Sequence, residues 1–252
     1  MIKFFRHIRQ RMIKENRVHK YLLYAIGEII LVVIGILIAL QINNWNQNEN
    51  NKTREIAILK NLNQEFKKNK TNLINIIEAH HGMLEATNEI MELIREPENT
   101  LANHNLDSLI YLSIDYDDFN PSQSVIDEAI ASGTISLISA ESMRSLIFEW
   151  VSAANGLKES YATMDEMSQT ITLPYLAENG SMKNIDYYGL MKSNGKSKFQ
   201  SKNPSLFKKV QFENVMDNQA WGLTNYLMKL EGLLKLVEEM ICETDRVILN
   251  SK

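Results

Sequence analysis

The sequence predicts an all-α protein, with one N-terminal transmembrane helix followed by an extracytoplasmic antiparallel helical bundle of three long and two or more short helices. Three observations lead to this prediction. An apolar run covers residues 21–42, and three later stretches repeat apolar residues at helical spacing. No stretch sustains the period-two alternation of a half-buried strand. The 252 residues, 44% of them apolar, are enough for a sizeable core.

The apolar run at residues 21–42 has the length of a membrane span. In an α-helix it extends about 33 Å, which matches the hydrocarbon core of a bilayer. No pair of small residues at cleavage spacing follows the run, so we interpret it as an anchor and not as a cleaved signal peptide. Tyr21 and Tyr24 on one side, and Trp45 on the other, are expected at the membrane interfaces.

The distribution of charge predicts the orientation of this span. Residues 1–20 contain seven Lys and Arg and one acidic residue, whereas residues 43–252 contain 20 Lys and Arg against 29 Asp and Glu. By the positive-inside rule the N-terminus lies in the cytoplasm of a single-pass inner-membrane protein, and residues 43–252 are extracytoplasmic or periplasmic. The basic segment either lies on anionic headgroups as an amphipathic helix or only fixes the topology.

Three long helices are expected beyond the span. Apolar residues at seven-residue spacing predict the first at residues 53–95, ending before Pro97. A similar series from Met143 to Ile171 predicts the second, with Ser139 as its N-cap, and a third is predicted at residues 214–249. None of these apolar faces can remain in water, so the helices should pack into a bundle.

Shorter elements are expected between the first two long helices. They are residues 106–114 and the stretch PSQSVIDEAIASG, where Ser122 can cap a helix and Gly133 can end it. The run TISLI is the only one that could form a strand. Residues 174–212 have no clear periodicity and seven lysines, so we expect one long irregular loop there, either solvated or close to lipid headgroups if the second helix runs back toward the membrane.

Few residues of the outer part suggest chemistry. His81 and Glu85 lie one turn apart and could share a metal ion, but no second ligand pair accompanies them. His80 falls on the apolar stripe, where it can fix the register of the helices. The acidic stretch DYDDFN lacks the glycine and the twelfth-position glutamate of a calcium loop, so we interpret it as a solvated turn. We therefore expect no catalytic residue, no metal and no cofactor.

The single cysteine, Cys242, excludes a disulfide within the residues of this sequence. It lies in a helical pattern, where it is either a small buried apolar residue or the partner in an interchain bridge. The basic residues are not gathered into a nucleic-acid-binding face on the acidic outer part, so we expect no nucleic acid as partner.

Glu28 is the chemical anomaly of the span, because an ionisable group inside the hydrocarbon costs about 2 to 3 kcal/mol. It borders a stripe of small and apolar residues in which Gly35 and Ala39 allow helices to approach closely. We expect helix association through Gly27, Glu28, Leu31, Gly35 and Ala39. Glu28 then has three open roles: a neutral group that joins helices, a carrier of protons or cations in a channel-like assembly, or a contact to another membrane protein.

The sequences MIKFFRHIRQ and YLLYAIGEIILVVIGILIALQINNWN resemble the N-terminal signature of an uncharacterised bacterial family of single-span inner-membrane proteins. The stretch SQSVIDEAIASGTISLI resembles it more weakly. The resemblance implies a membrane location and includes Glu28 in the signature, and it implies no known activity or cofactor. In layout alone, the chain is also similar to single-span subunits of ion-driven motor and energiser complexes, and such similarity does not establish function.

These observations predict a membrane-anchored interaction protein, a scaffold or sensor-like module, that self-associates through its span and is not an enzyme. Its expected partners are the lipid bilayer and either a second copy or another membrane protein; a small-molecule ligand is unknown. The alternative is a subunit of an ion-coupled transport or energising complex that uses Glu28.

Overall fold

The structure of the protein is a computed structural model that describes residues 18–250. The predictions for residues 1–17, which form most of the basic segment, and for the Tyr21 side chain lie outside the described residues. The chain divides into two compact units, residues 1–55 and residues 56–252. The described residues are mainly helical and include no strand, which confirms the all-α prediction, and TISLI forms a short 3₁₀ helix at Thr134–Leu137.

Helix α1, Val18–Glu92, joins two predicted helices in one element. The sequence predicts a span at residues 21–42 and a separate helix at residues 53–95, and the polar stretch between them is helical as well. That stretch contains neither proline nor glycine, so nothing in it interrupts the backbone hydrogen bonds. α1 ends at Glu92, and in the turn that follows Arg95 adopts a left-handed φ of 67°, two residues before Pro97.

The second unit is built around three long helices: the part of α1 after residue 55, α5 (Glu141–Met167) and α9 (Val210–Asn250). α9 is antiparallel to α1, because Asn63 donates a hydrogen bond to Thr244 near one end and Arg95 N donates to Phe207 O at the other. α9 is also antiparallel to α5, because Ser142 donates a hydrogen bond to Glu243 near one end and Gly222 lets Met164 approach closely near the other. α1 and α5 therefore run in the same direction.

A fourth, shorter arm returns the chain from the end of α1 to the beginning of α5. It contains α2 (Glu98–Leu101), α3 (Leu106–Ile114) and α4 (Ser124–Ala131). α3 has the predicted bounds, and Gly133 follows α4 with a left-handed φ of 71°, as the predicted end of that helix requires.

The beginning of α4 differs from the prediction. Its N-cap is Gln123, which makes no side-chain cap hydrogen bond. Instead the Glu65 carboxylate of α1 accepts hydrogen bonds from the hydroxyls of Ser122 and Ser124 and from the Val125 N–H. A residue of α1, Glu65, therefore caps the N-terminus of α4. The sequence next to α4 cannot indicate a cap that comes from a distant helix.

Most predicted apolar positions face the core. On α1 the inward series includes His80, Thr87 and Asn69, each at most 1% exposed. The main exception is Ile171, which is 40% exposed. After α5 a wide π-helical turn, Ser168–Thr172, shifts the register so that Thr172 is buried in its place. α5 itself begins at Glu141 with Ala140 at its N-cap, one residue after the predicted Ser139.

The predicted loop at residues 174–212 is corrected by the structure. It contains α6 (Leu173–Asn179), α7 (Met182–Asp186), a 3₁₀ turn at Lys192–Asn194 and α8 (Asn203–Leu206). Its apolar residues join those at the end of α1 and the beginning of α9 in a second core. The fully buried members of this core are Ile90, Ile110, Leu176, Ile185, Leu206, Phe207, Phe212 and Met216.

The sequence suggests that residues 174–212 lie near the membrane only on one condition, and the structure does not meet it. That prediction required the second long helix to run back along the first, and α5 runs in the same direction as α1. Short helices with irregular spacing lack a sustained period, which explains why the sequence pattern suggests a loop.

Candidate functional site

The apolar surface of α1 in the first unit is the first candidate site. The window of highest hydropathy, with a mean of 2.7, is 0% buried, and the helix is long and apolar enough to cross a membrane. Large apolar side chains are exposed all around it between Leu22 and Ile42. Within the described part of this unit no other element covers them. Such a surface requires a medium or a partner that the described residues do not supply.

The predicted association residues lie together on this surface. Gly27 and Gly35 have no atom within 4 Å of the position where a Cβ would be. A shallow hollow beside Gly27 is lined by Leu23, Tyr24, Glu28 and Leu31. The structure thus places Glu28 at the edge of a gap that another helix can approach. Trp45, predicted at the outer interface, is 66% exposed.

A buried polar cluster inside the bundle is the second candidate. The imidazole of His80 is 0% exposed and lies 5.1 Å from the ring of Tyr226, centroid to centroid. His80 Nδ1 contacts the Ile76 carbonyl oxygen at 2.9 Å, and Nε2 has no hydrogen-bond partner among the described residues. Burial lowers the pKa of His80, so this imidazole is neutral at pH 7.

The DYDDFN stretch is in part the solvated turn that the sequence suggests, since Asp115, Asp117 and Asn120 are exposed, but Phe119 is buried and the stretch closes over this cluster. The Phe119 N–H donates to the Tyr226 hydroxyl at 3.0 Å, and that hydroxyl is 3.3 Å from Asp118 Oδ1. Tyr116 donates to Asp165 Oδ1 at 2.7 Å, and burial raises its pKa to about 12. Burial raises the pKa of Tyr226 as well. Tyr116 and Tyr226 keep their protons at neutral pH, so neither is available as a phenolate nucleophile.

The other predicted chemical residues are separated by the fold. His81 Nε2 pairs with Glu231 Oε1 of α9 at 3.2 Å, instead of sharing a site with Glu85. Within residues 18–250 the structure contains no group of three or more His, Cys, Asp or Glu side chains that could hold a metal ion. Cys242 is exposed, which corrects the prediction of a buried small residue, because the neighbouring Met240 and Thr244 face the core.

An open polar groove of about 710 Å³ lies between α2, α3 and α8. Lys208 Nζ crosses it to Glu98 Oε1 at 2.7 Å, and this hydrogen bond lowers the pKa of Glu98. Asp107 Oδ1 accepts a hydrogen bond from Asn203 at 2.6 Å. Lys208 and Glu98 neutralise each other, and Asp107 Oδ2 lies 3.9 Å from Lys196 Nζ. Sequence reasoning missed the groove because its residues are about 100 positions apart and follow no shared pattern.

Within residues 18–250, the fold and the exposed helix define an all-α protein with one candidate membrane span. The chain belongs to a protein family described as "Family of unknown function (DUF6090)", whose sequence pattern matches residues 28–163. The matched range begins at Glu28 and includes the SQSVIDEAIASGTISLI stretch. No curated protein and no solved structure matches the chain.

Proposed function

We propose that the chain is a single-pass membrane-anchored interaction protein, a scaffold or sensor-like module, that self-associates through its span. The proposed location is the inner membrane, with the N-terminus in the cytoplasm and the helical bundle outside it. One observation carries the proposal: the described part of the first unit exposes apolar side chains on every face of α1 between Leu22 and Ile42. A lipid bilayer satisfies such a surface, and a soluble environment does not.

The small residues on this helix support self-association. In lipid, helices associate through close packing and hydrogen bonds, since apolar burial gives no net gain there. Gly27, Gly35 and Ala39 let a second backbone approach on one side of the helix. Glu28 lies beside them, and a protonated carboxyl group there can hydrogen-bond to its counterpart or to a backbone carbonyl.

Energy transfer between labelled chains tests the association. Cys242 is the only cysteine and is exposed, so donor and acceptor dyes can be attached there. In reconstituted membranes we expect transfer that Gly35→Leu reduces, because the larger side chain separates the helices. Val33→Leu is the matched control: it adds one methylene on the opposite side of the helix and should leave transfer unchanged. Equal transfer in all three proteins would contradict association through this stripe.

The alternative function keeps the location and assigns Glu28 a proton- or cation-carrying role in an ion-coupled transport or energising complex. Glu28→Gln separates the two proposals, because glutamine can still join helices through hydrogen bonds and cannot release a proton. Association retained together with loss of a proton flux across proteoliposomes would favour the alternative. Proteoliposomes of the unchanged protein that conduct no protons would count against it.

A further inference from the structure

Residues 187–202, the lysine loop, differ in charge from the rest of the bundle. The loop contains four lysines and no acidic residue. The rest of residues 56–252 contains 14 Lys and Arg against 27 Asp and Glu. The loop is therefore a local cationic surface on an acidic domain, and the partner that it attracts is anionic.

The loop also carries the two most exposed large apolar side chains among the described residues. Leu190 is 98% exposed and Phe199 is 87% exposed, and Met191 beside Leu190 is 50% exposed. Isolated exposed apolar residues are common on soluble proteins. Leu190 and Phe199 differ from such isolated residues, because each projects almost entirely into solvent and lies within two residues of a lysine. Together with these lysines they form an amphiphilic surface.

Contacts to the bundle hold the loop in this conformation. Tyr188, at the base of the loop, accepts a hydrogen bond from Asn105 of the bundle at 2.7 Å, and Lys196 Nζ lies 5.2 Å and 5.1 Å from the ring centroids of Tyr187 and Tyr188. Asn184 Oδ1 accepts a hydrogen bond from the Ser197 N–H at 2.8 Å. Because the base is fixed on both sides, Leu190 and Phe199 are presented outward by an ordered support.

Resting on the proposed membrane anchor, we propose that the lysine loop docks onto a second anionic lipid bilayer, other than the one that holds the span, where Leu190 and Phe199 enter the interfacial region and Lys192 and Lys198 contact lipid phosphates. These two lysines form no ion pair within the described residues, so their charges are available to a partner. An acidic protein would also attract them. The bilayer is favoured because the apolar side chains protrude singly from a loop, whereas a protein interface has a continuous, well-packed apolar core.

Vesicle flotation with the full chain tests this inference. The protein is inserted in nanodiscs of phosphatidylcholine and mixed with phosphatidylcholine vesicles that contain or lack phosphatidylglycerol. We expect binding to the anionic vesicles only. Lys192→Gln with Lys198→Gln should weaken that binding on the order of 30-fold, at about 1 kcal/mol per lysine. Leu190→Ser with Phe199→Ser should weaken it at least about tenfold by removing the inserted surface.

Matched variants control for charge and for exposed apolar area elsewhere. Lys158→Gln with Lys235→Gln removes two exposed lysines from α5 and α9, and Phe148→Ser removes an apolar side chain that is 55% exposed. Both should bind like the unchanged protein, and all variants share residues 1–20, whose own attraction to anionic lipid therefore cancels.

Three results would overturn the inference. The first is absence of binding by the unchanged protein, and the second is equal weakening by the control variants. The third is a binding loss with the lysine variant but not with the Leu190 and Phe199 variant, which would indicate electrostatic attraction to the headgroups without insertion of the apolar side chains.

Discussion

Helix α1 contains two stretches that differ in the exposure of their apolar side chains. Between Leu22 and Ile42 the large apolar side chains are exposed on all faces, whereas after residue 55 the apolar residues form one stripe that is buried against α5 and α9. The stripe has its partners within the described chain, and the first stretch does not. The comparison teaches that the breadth of the apolar surface indicates whether the chain or its surroundings must complete it.

The largest effect is expected in the buried stripe. Trp150→Ala should lower the free energy of unfolding by about 3 to 5 kcal/mol, because Trp150 is 0% exposed and lies 6.0 Å from Phe66, centroid to centroid. Urea unfolding of the full chain in detergent, followed by circular dichroism, measures it. Trp221→Ala is the control, since Trp221 is 56% exposed and should change stability by less than about 0.5 kcal/mol. Equal losses would contradict the described core.

The next effect distinguishes the exposed stretch from the stripe. Ile34→Asp should make membrane insertion less favourable by about 3 kcal/mol, because it places an ionised group at the centre of the span. We expect more of this variant to be released by alkaline carbonate extraction. Ile34→Leu should remain in the membrane. Release of neither variant would indicate that the stretch around residue 34 does not set the membrane attachment.

The cap across the bundle ranks third. Glu65→Ala should destabilise the bundle by about 2 kcal/mol, since Ser122, Ser124 and the Val125 N–H all lose their acceptor. Glu65→Gln keeps one acceptor oxygen and should cost less. Glu78→Ala, at an exposed position of the same helix, provides the baseline in the same urea titration. If all three variants unfold at one urea concentration, Glu65 does not stabilise the beginning of α4.

The buried histidine predicts a pH dependence. Burial lowers the pKa of His80 from its ordinary 6.5, against the opposing attraction of Asp117 and Asp118 and with a smaller contribution from His81. Below about pH 6.5 the unfolded chain binds a proton that the folded chain does not, so stability should fall by up to about 1.4 kcal/mol per pH unit. Thermal unfolding between pH 7 and 5 measures this, and His80→Gln should flatten the slope. An equal slope in both proteins would assign it to other groups.

The smallest effect is expected at the neighbouring surface histidine. The side chains of His81 and Glu231 are 50% and 47% exposed, so solvent screens their pairing. His81→Gln should change the free energy of unfolding by less than about 0.5 kcal/mol. A double-mutant cycle with Glu231→Gln isolates the pair, and a coupling above about 1 kcal/mol would show that the contact is more than a surface ion pair.

The sequence predicts the long elements well for a physical reason. α9 and the stripe of α1 repeat apolar residues over many turns, and a face that must leave water is visible as a period. α3 and the end of α4 at Gly133 are also predicted, because a left-handed residue after a helix is encoded locally by glycine. The short helices of residues 174–212 and the Glu65 cap could not be predicted, since neither has a repeated pattern and both depend on distant residues.

Of the two candidate sites, one can be predicted from the sequence and the other follows only from the fold. The span, its small residues and Glu28 are visible in the sequence, because a lipid-facing helix is defined by its own composition. Their membrane orientation and their partner remain predictions. The meeting of His80, Tyr226 and the DYDDFN stretch follows only from the fold, which brings residues about 108 and 107 positions apart into hydrogen-bond contact at Asp118 and Phe119.

By itself the sequence determined that this protein is helical, that its long helices have one apolar face and that its first helix is apolar on all faces. These properties are periodic or compositional, and each is set by residues within a few turns of one another. Only the tertiary structure decided that α5 runs parallel to α1, that Glu65 caps α4 and that Leu190 and Phe199 project from an ordered loop. Those outcomes depend on which distant faces pack together, because packing selects partners by shape and by hydrogen bonds that no local pattern records.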